Sequence, residues 1–87
     1  MDVEISARKN GRIKMSGGLT KDRDIDADIF LMESGEHYIN LHSLEFVNED
    51  PVSHGFGLNN KDELVRLGEF IQEVKKVIEN EEKEMVK

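Results

Sequence analysis

The apolar residues of this chain change their spacing once, and that change fixes the order of its elements. Through Leu41 they alternate with period two, whereas from Asn60 onward they recur at intervals of three and four. Alternation marks half-buried strands, and the three-four pattern marks an amphipathic helix. Strands come first and one long helix comes last.

Val3, Ile5 and Ala7 alternate with Glu4, Ser6 and Arg8, and Ile13 and Met15 alternate with Arg12, Lys14 and Ser16. Asn10-Gly11 lies between these runs as a turn signal. A two-residue loop sets Arg8 opposite Ile13 and throws the apolar sets onto opposite faces, which a one-sided sheet does not tolerate. The expectation is therefore a three-residue loop, Lys9-Asn10-Gly11, pairing Ala7 with Ile13 and Ile5 with Met15, with Gly11 left-handed. Gly17-Gly18 ends the second strand, and the polar run to Asp26 reads as a connection.

A second hairpin follows around Glu33-Ser34-Gly35, with Leu31 facing His37, Ile29 facing Ile39 and Ala27 facing Leu41. The same register sets Phe30 opposite Tyr38 on the other face, with Met32 diagonal to them. Both faces of this hairpin therefore want cover. After His42 the alternation changes phase at Leu44, which reads as a bulge before the strand end, and Asn48-Glu49-Asp50-Pro51 breaks the chain. Val52–Phe56 reads either as a short fifth strand or as a loop that plugs Phe56 into the core. From Asn60, the Asn60–Glu63 spacing is a capping box. Leu64, Leu67, Ile71, Val74 and Ile78 then form a stripe wide enough to pack on a sheet. Gly68 interrupts the helix at a cost of about 1 kcal/mol against alanine, which points to close approach to a strand.

The expected fold is α+β: an antiparallel sheet of four to five strands from two hairpins, with the C-terminal helix packed on one face. With 87 residues the chain holds one domain, a sheet region over 1–58 and a helix over 60–84. No cysteine is present, which removes disulfides, thiolate nucleophiles and cysteine zinc sites. No run of 18 apolar residues occurs, and Met1-Asp2-Val3-Glu4 does not open a secretion signal, so the expected compartment is the cytoplasm.

The formal net charge is -7, from 12 Lys and Arg against 19 Asp and Glu, which disfavours a direct phosphate-backbone binder. The charge is also uneven along the chain. Residues 1–21 carry five cations and two acids, residues 22–36 one cation and six acids, and residues 61–78 four of each. A basic protein partner is favoured over nucleic acid.

Asp22, Asp24, Asp26, Asp28, Ile29 and Glu33 overlay the ligand spacing of a calcium loop, and over these twelve residues the chain resembles an EF-hand loop. Ala27 stands where that loop has glycine, and strand character over 28–33 separates Asp28 from Glu33. The competing reading is an acidic connection running into a strand. His37, His42 and His54 are the candidate bases, but none has the helical spacing of a zinc pair, and no G-x-S-x-G elbow accompanies them. His37 reads as structural and His54 as exposed. Ser16-Gly17-Gly18 and Gly55-Phe56-Gly57 precede no helix at phosphate-loop spacing and read as turns. Arg8, Lys9, Arg12 and Lys14 read as edge protection.

Phe30, Met32 and Tyr38 remain. They belong either to a second small core under Leu44, Phe46, Val52 and Phe56, or to a contact patch for a partner or second copy. The functional expectation is a non-catalytic interaction module without cofactor or metal. It binds a protein partner through Asp22, Asp24, Asp26, Asp28, Phe30, Met32 and Tyr38, and regulates or inhibits it by masking a basic nucleic-acid-binding surface. In size and charge alone, this is similar to phage-encoded anti-defence inhibitors. The alternatives are calcium, nucleotide or other small-ligand binding, with a homodimer groove as one seat, and a small hydrolase using His54 or His42.

Overall fold

Five strands lie side by side in chain order: β1 (Val3–Lys9), β2 (Arg12–Thr20), β3 (Arg23–Leu31), β4 (His37–Val47) and β5 (Asp50–Leu58). Every neighbouring pair is antiparallel. The helix α1 (Lys61–Met85) follows. The computed structural model describes residues 2–85, the Phe46 side chain lying outside the described part.

The first hairpin turns through the two-residue loop that the pattern argued against. Lys9 pairs with Arg12 and Arg8 with Ile13, and Asn10 and Gly11 have φ of 51° and 75°. These are the left-handed values of a hairpin turn whose twist matches its strands. The phase conflict is absorbed instead by a bulge between Ile5 and Ala7, beyond which Ile5 faces Met15. One extra residue flips the strand back, so Val3 and Ile5 reach the face of Ile13 and Met15, whereas Ala7 pairs with Lys14 rather than Ile13 and lies on the opposite face.

β2 continues past Gly17-Gly18 to Thr20, and β3 begins at Arg23, so the polar run is strand rather than connection. Thr20 faces Arg23 across Lys21-Asp22. The β3–β4 pairing follows the expected register, with Phe30 on Tyr38, Ile29 on Ile39 and Ala27 on Leu41. Its loop closes through Met32 and Glu36, with Gly35 at φ 90°. β4 runs without the expected bulge through Val47. Its apolar positions change face because Ser43, not a hydrophobe, occupies the inner site. Asn48-Glu49 is a second left-handed two-residue turn, and β5 is a full nine-residue strand.

One face of the sheet carries Ile13, Met15, Ile25, Ala27, Ile29, Ile39, Leu41, Phe56 and Leu58, and α1 lies on this inner face against β4 and β5. Among the described residues only Ile39 and Leu58 are buried apolar residues, and no side chain is fully enclosed. The helix starts as expected at an Asn60 cap: Asn60 Oδ1 accepts from the Glu63 N–H at 2.9 Å. The Glu63 carboxylate reaches back to Asn59 rather than Asn60, accepting from its backbone N–H at 2.9 Å and its side-chain amide at 3.2 Å. No strand approaches Gly68; a methyl group there would meet open space.

Candidate interaction face

The opposite, helix-free face holds the side chains of Arg12, Lys14, Asp24, Asp26, Asp28, Phe30, Tyr38 and His42, because alternate residues of β2, β3 and β4 share it in the observed register. Of the residues expected to form a contact surface, Asp24, Asp26, Asp28, Phe30 and Tyr38 thus stand together. Met32 follows at the end of β3, about half exposed, and Asp22 lies in the adjoining turn. Phe30 and Tyr38 are not under α1.

Their surroundings come from neighbouring strands. The Arg12 guanidinium stacks 5.0 Å from the centre of the Phe30 ring and donates to Asp28 Oδ1 at 3.2 Å. One side chain therefore covers the aromatic and neutralises an acid. His42 Nε2 stands 3.7 Å from Asp26 Oδ2. Tyr38 leans over Gly57 of β5, where a methyl group would overlap its hydroxyl, and at Gly55 a methyl group would come within 2.6 Å of the Leu41 carbonyl oxygen and 2.8 Å of the His42 Cβ. Gly57 leaves room for the Tyr38 ring to lie across β5, and Gly55 leaves room for the β4 backbone beside it. Sequence inspection, which read Gly55-Phe56-Gly57 as a turn, had no signal for this role.

The second small core does not form on this face. Leu44 lies on it and is about half exposed, whereas Val52 and Phe56 belong to the inner face, and the Phe46 side chain is outside the described residues. The acids are distributed along a gradient. Arg12 and Lys14 occupy the end near Phe30, and exposed Asp24 and Asp22 occupy the other, beside Leu44.

Asp24, Asp26 and Asp28 stand in line along β3, about 6.6 Å apart at two residues per step, so they do not wrap one point as calcium-loop ligands do. Among the described residues no group of three or more His, Asp or Glu is placed to hold a metal ion. His54 Nε2 lies 3.2 Å from Glu45 Oε2 on the inner face, and no hydrogen bond joins His42 or His54 to a serine among the described residues. His37 is exposed at the sheet edge opposite Leu31. Among the described residues no helix is long and apolar enough to cross a membrane. No family model matches the chain, and neither a curated protein nor a solved structure is similar to it.

Proposed function

We propose that the protein is a non-catalytic interaction module that docks a protein partner on its helix-free sheet face. The observation that carries this reading is the gathering of Phe30, Tyr38, Asp24, Asp26 and Asp28 on one open face. Such a face spans several strands and mixes aromatic anchors with charge, which suits a protein surface better than a small ligand. Arg12 and His42 already engage Asp28 and Asp26, which leaves Asp22 and Asp24 as the carboxylates most open to a basic partner. By occupying cations that otherwise hold phosphates, the module masks a nucleic-acid-binding surface and regulates its owner.

The test is affinity capture with the natural chain and an Asp22→Lys, Asp24→Lys variant, followed by elution with nucleic acid. Masking predicts a specific partner that the variant fails to retain and that nucleic acid displaces. Equal recovery by both forms, with circular dichroism showing both folded, refutes the role of this face.

A further inference from the structure

The inner face presents a different problem, because neither α1 nor the sheet finishes its own burial. A groove of about 830 Å³ opens between them, lined by Ile25, Leu41 and Phe56 from the sheet and Leu67, Phe70 and Val74 from the helix. Leu67 is half-buried, whereas Phe70 is 65% exposed and Val77, farther along, is 59% exposed. Across the sheet, α1 touches β4 and β5 but leaves β1 to β3 uncovered, with Val3 and Ile5 at least half exposed. Two buried hydrophobes among the described residues do not offset the ordering entropy of a chain this long.

We propose that this groove and the uncovered face of β1 to β3 beside it seat α1 of a second copy of the chain, in a two-fold dimer that closes both cores at once. The two unfinished surfaces are complementary, and every chain carries both of them. A sheet face that lacks a helix and a helix flank that lacks a sheet are each satisfied by a self-complementary exchange.

Area agrees. Three uncovered strands spaced about 4.8 Å apart and about 28 Å long present roughly 400 Å². The flank of a 25-residue helix, about 37 Å by 10 Å, adds roughly 370 Å². Together these approach the ~800 Å² that each partner contributes to a stable interface.

Charge selects the occupant. Residues 61–78 carry Lys61, Arg66, Lys75 and Lys76 against Asp62, Glu63, Glu69 and Glu73, so the helical segment over the groove has no net charge despite a total of -7. The acidic excess lies outside this segment, in residues 22–36, 37–60 and 79–87. Two such segments meet without the repulsion that two acidic surfaces would suffer, whereas a basic partner finds no attraction here. Gly68 supplies a further point of access: its open side lies next along the helix surface to Leu64 and Ile71, where a second backbone approaches without a Cβ in the way.

The test is the mass of the full chain by sedimentation equilibrium from micromolar to millimolar protein, joined to isotope-filtered NMR on a mixture of labelled and unlabelled chains. The expected mass is 20.0 kDa, twice 10.0 kDa, with intermolecular contacts from Phe70 and Val77 to Ile5 and Met15. Val77, outside the groove lining, is the site for disruption: Val77→Glu yields a helical monomer, while Asp24→Lys on the other face leaves the dimer intact. A natural chain that stays at 10.0 kDa overturns the proposal, including a monomer that takes up an apolar dye in the groove, which assigns the groove to a small ligand. Intermolecular contacts confined to Phe30 and Tyr38 overturn it as well, and the NMR readout on the natural chain stands even if Val77→Glu does not fold.

Discussion

The Tyr38 ring rests on the bare backbone of Gly57, and the two positions are mutually exclusive for larger side chains: a methyl group at Gly57 would occupy the place of the phenol oxygen. Gly57→Ala therefore either lifts Tyr38 off the sheet or bends β5. Overpacking of this kind costs about 1–3 kcal/mol. In a Tyr38→Ala background the same substitution is nearly neutral, and chemical denaturation of the four proteins of the cycle reads a coupling of about 1 kcal/mol or more. Additive losses in that cycle mean the ring is not held against this glycine.

Two hairpins use the same left-handed two-residue turn with different chemistry. Asn10-Gly11 has the preferred residues, but Asn48-Glu49 places a glutamate at φ 71°, where a Cβ is crowded by the carbonyl. Glu49→Gly is expected to stabilise the fold by about 1 kcal/mol, and Gly11→Ala to destabilise it by about 1–2 kcal/mol. Thermal unfolding of the pair measures both, and equal effects of one sign would contradict the turn assignment.

These two turns also mark where the sequence was legible. Strand order, the Phe30–Tyr38 register and the Asn60 cap follow from local alternation and spacing, which depend on residues close in the chain. The first hairpin misleads because alternation carries no record of an inserted residue. A bulge between Ile5 and Ala7 and a shorter loop produce the same apolar pairing of Ile5 with Met15 as a longer loop without a bulge. Polar residues hide strand in the same way: Asp24 and Asp26 lengthen β3 because their partners, Gly18 and Ser16, continue the ladder. Pattern alone was blind to Gly55 and Gly57, whose purpose lies in the backbone and the Tyr38 side chain of the neighbouring strand. The co-facial set of Phe30, Tyr38 and three aspartates was visible once β3 was known to extend back to Arg23.

At the start of α1, backbone and side-chain hydrogen bonds from Asn59 hold the Glu63 carboxyl below the ordinary glutamate range. A lowered folded-state pKa means stability that is complete above the unfolded value and lost as pH falls through the folded one. Acidification below the usual glutamate range is therefore expected to fray the first turn of α1 before the sheet. Amide exchange at Asn59 and Glu63 follows this loss directly, and Glu63→Gln removes the pH dependence while keeping a side chain able to accept one hydrogen bond. Unchanged exchange of Asn59 across the acid range would show that the carboxylate does not hold it.

Two ion pairs of equal length are expected to differ in worth. Arg12–Asp28 and Lys76–Glu73 both measure 3.2 Å, but the Asp28 side chain is only 16% exposed and Arg12 also stacks on Phe30. Lys76→Ala on the open helix is expected to change stability by about 0.3 kcal/mol, as exposed pairs do. Arg12→Ala removes both an ion pair and a cation–π contact of about 0.5–1 kcal/mol, so its loss should be several-fold larger. Urea midpoints of the two variants decide the matter, and comparable midpoints would mean that the stack contributes nothing.

Ser43 is a buried polar residue on the inner face, and it is satisfied on both sides. Its hydroxyl accepts from Arg23 Nε at 2.9 Å and donates to the Asp24 carbonyl at 3.0 Å, so one small side chain ties β4 to the start of β3. Replacing it with alanine preserves the strand but leaves a guanidinium donor and a backbone carbonyl unpaired in a partly buried site. An unmet buried group costs about 1–3 kcal/mol, well beyond the ~0.5 kcal/mol range of ordinary surface changes. Ser53→Ala, exposed on β5, serves as that reference. The expected order is a loss of about 2 kcal/mol for Ser43→Ala and almost none for Ser53→Ala, with the Asp24 and Ile25 amides losing exchange protection only in the former. If both serines prove equally dispensable, the opening of β3 at Arg23 is held by its backbone ladder alone, and the Arg23–Ser43 contact contributes no stability.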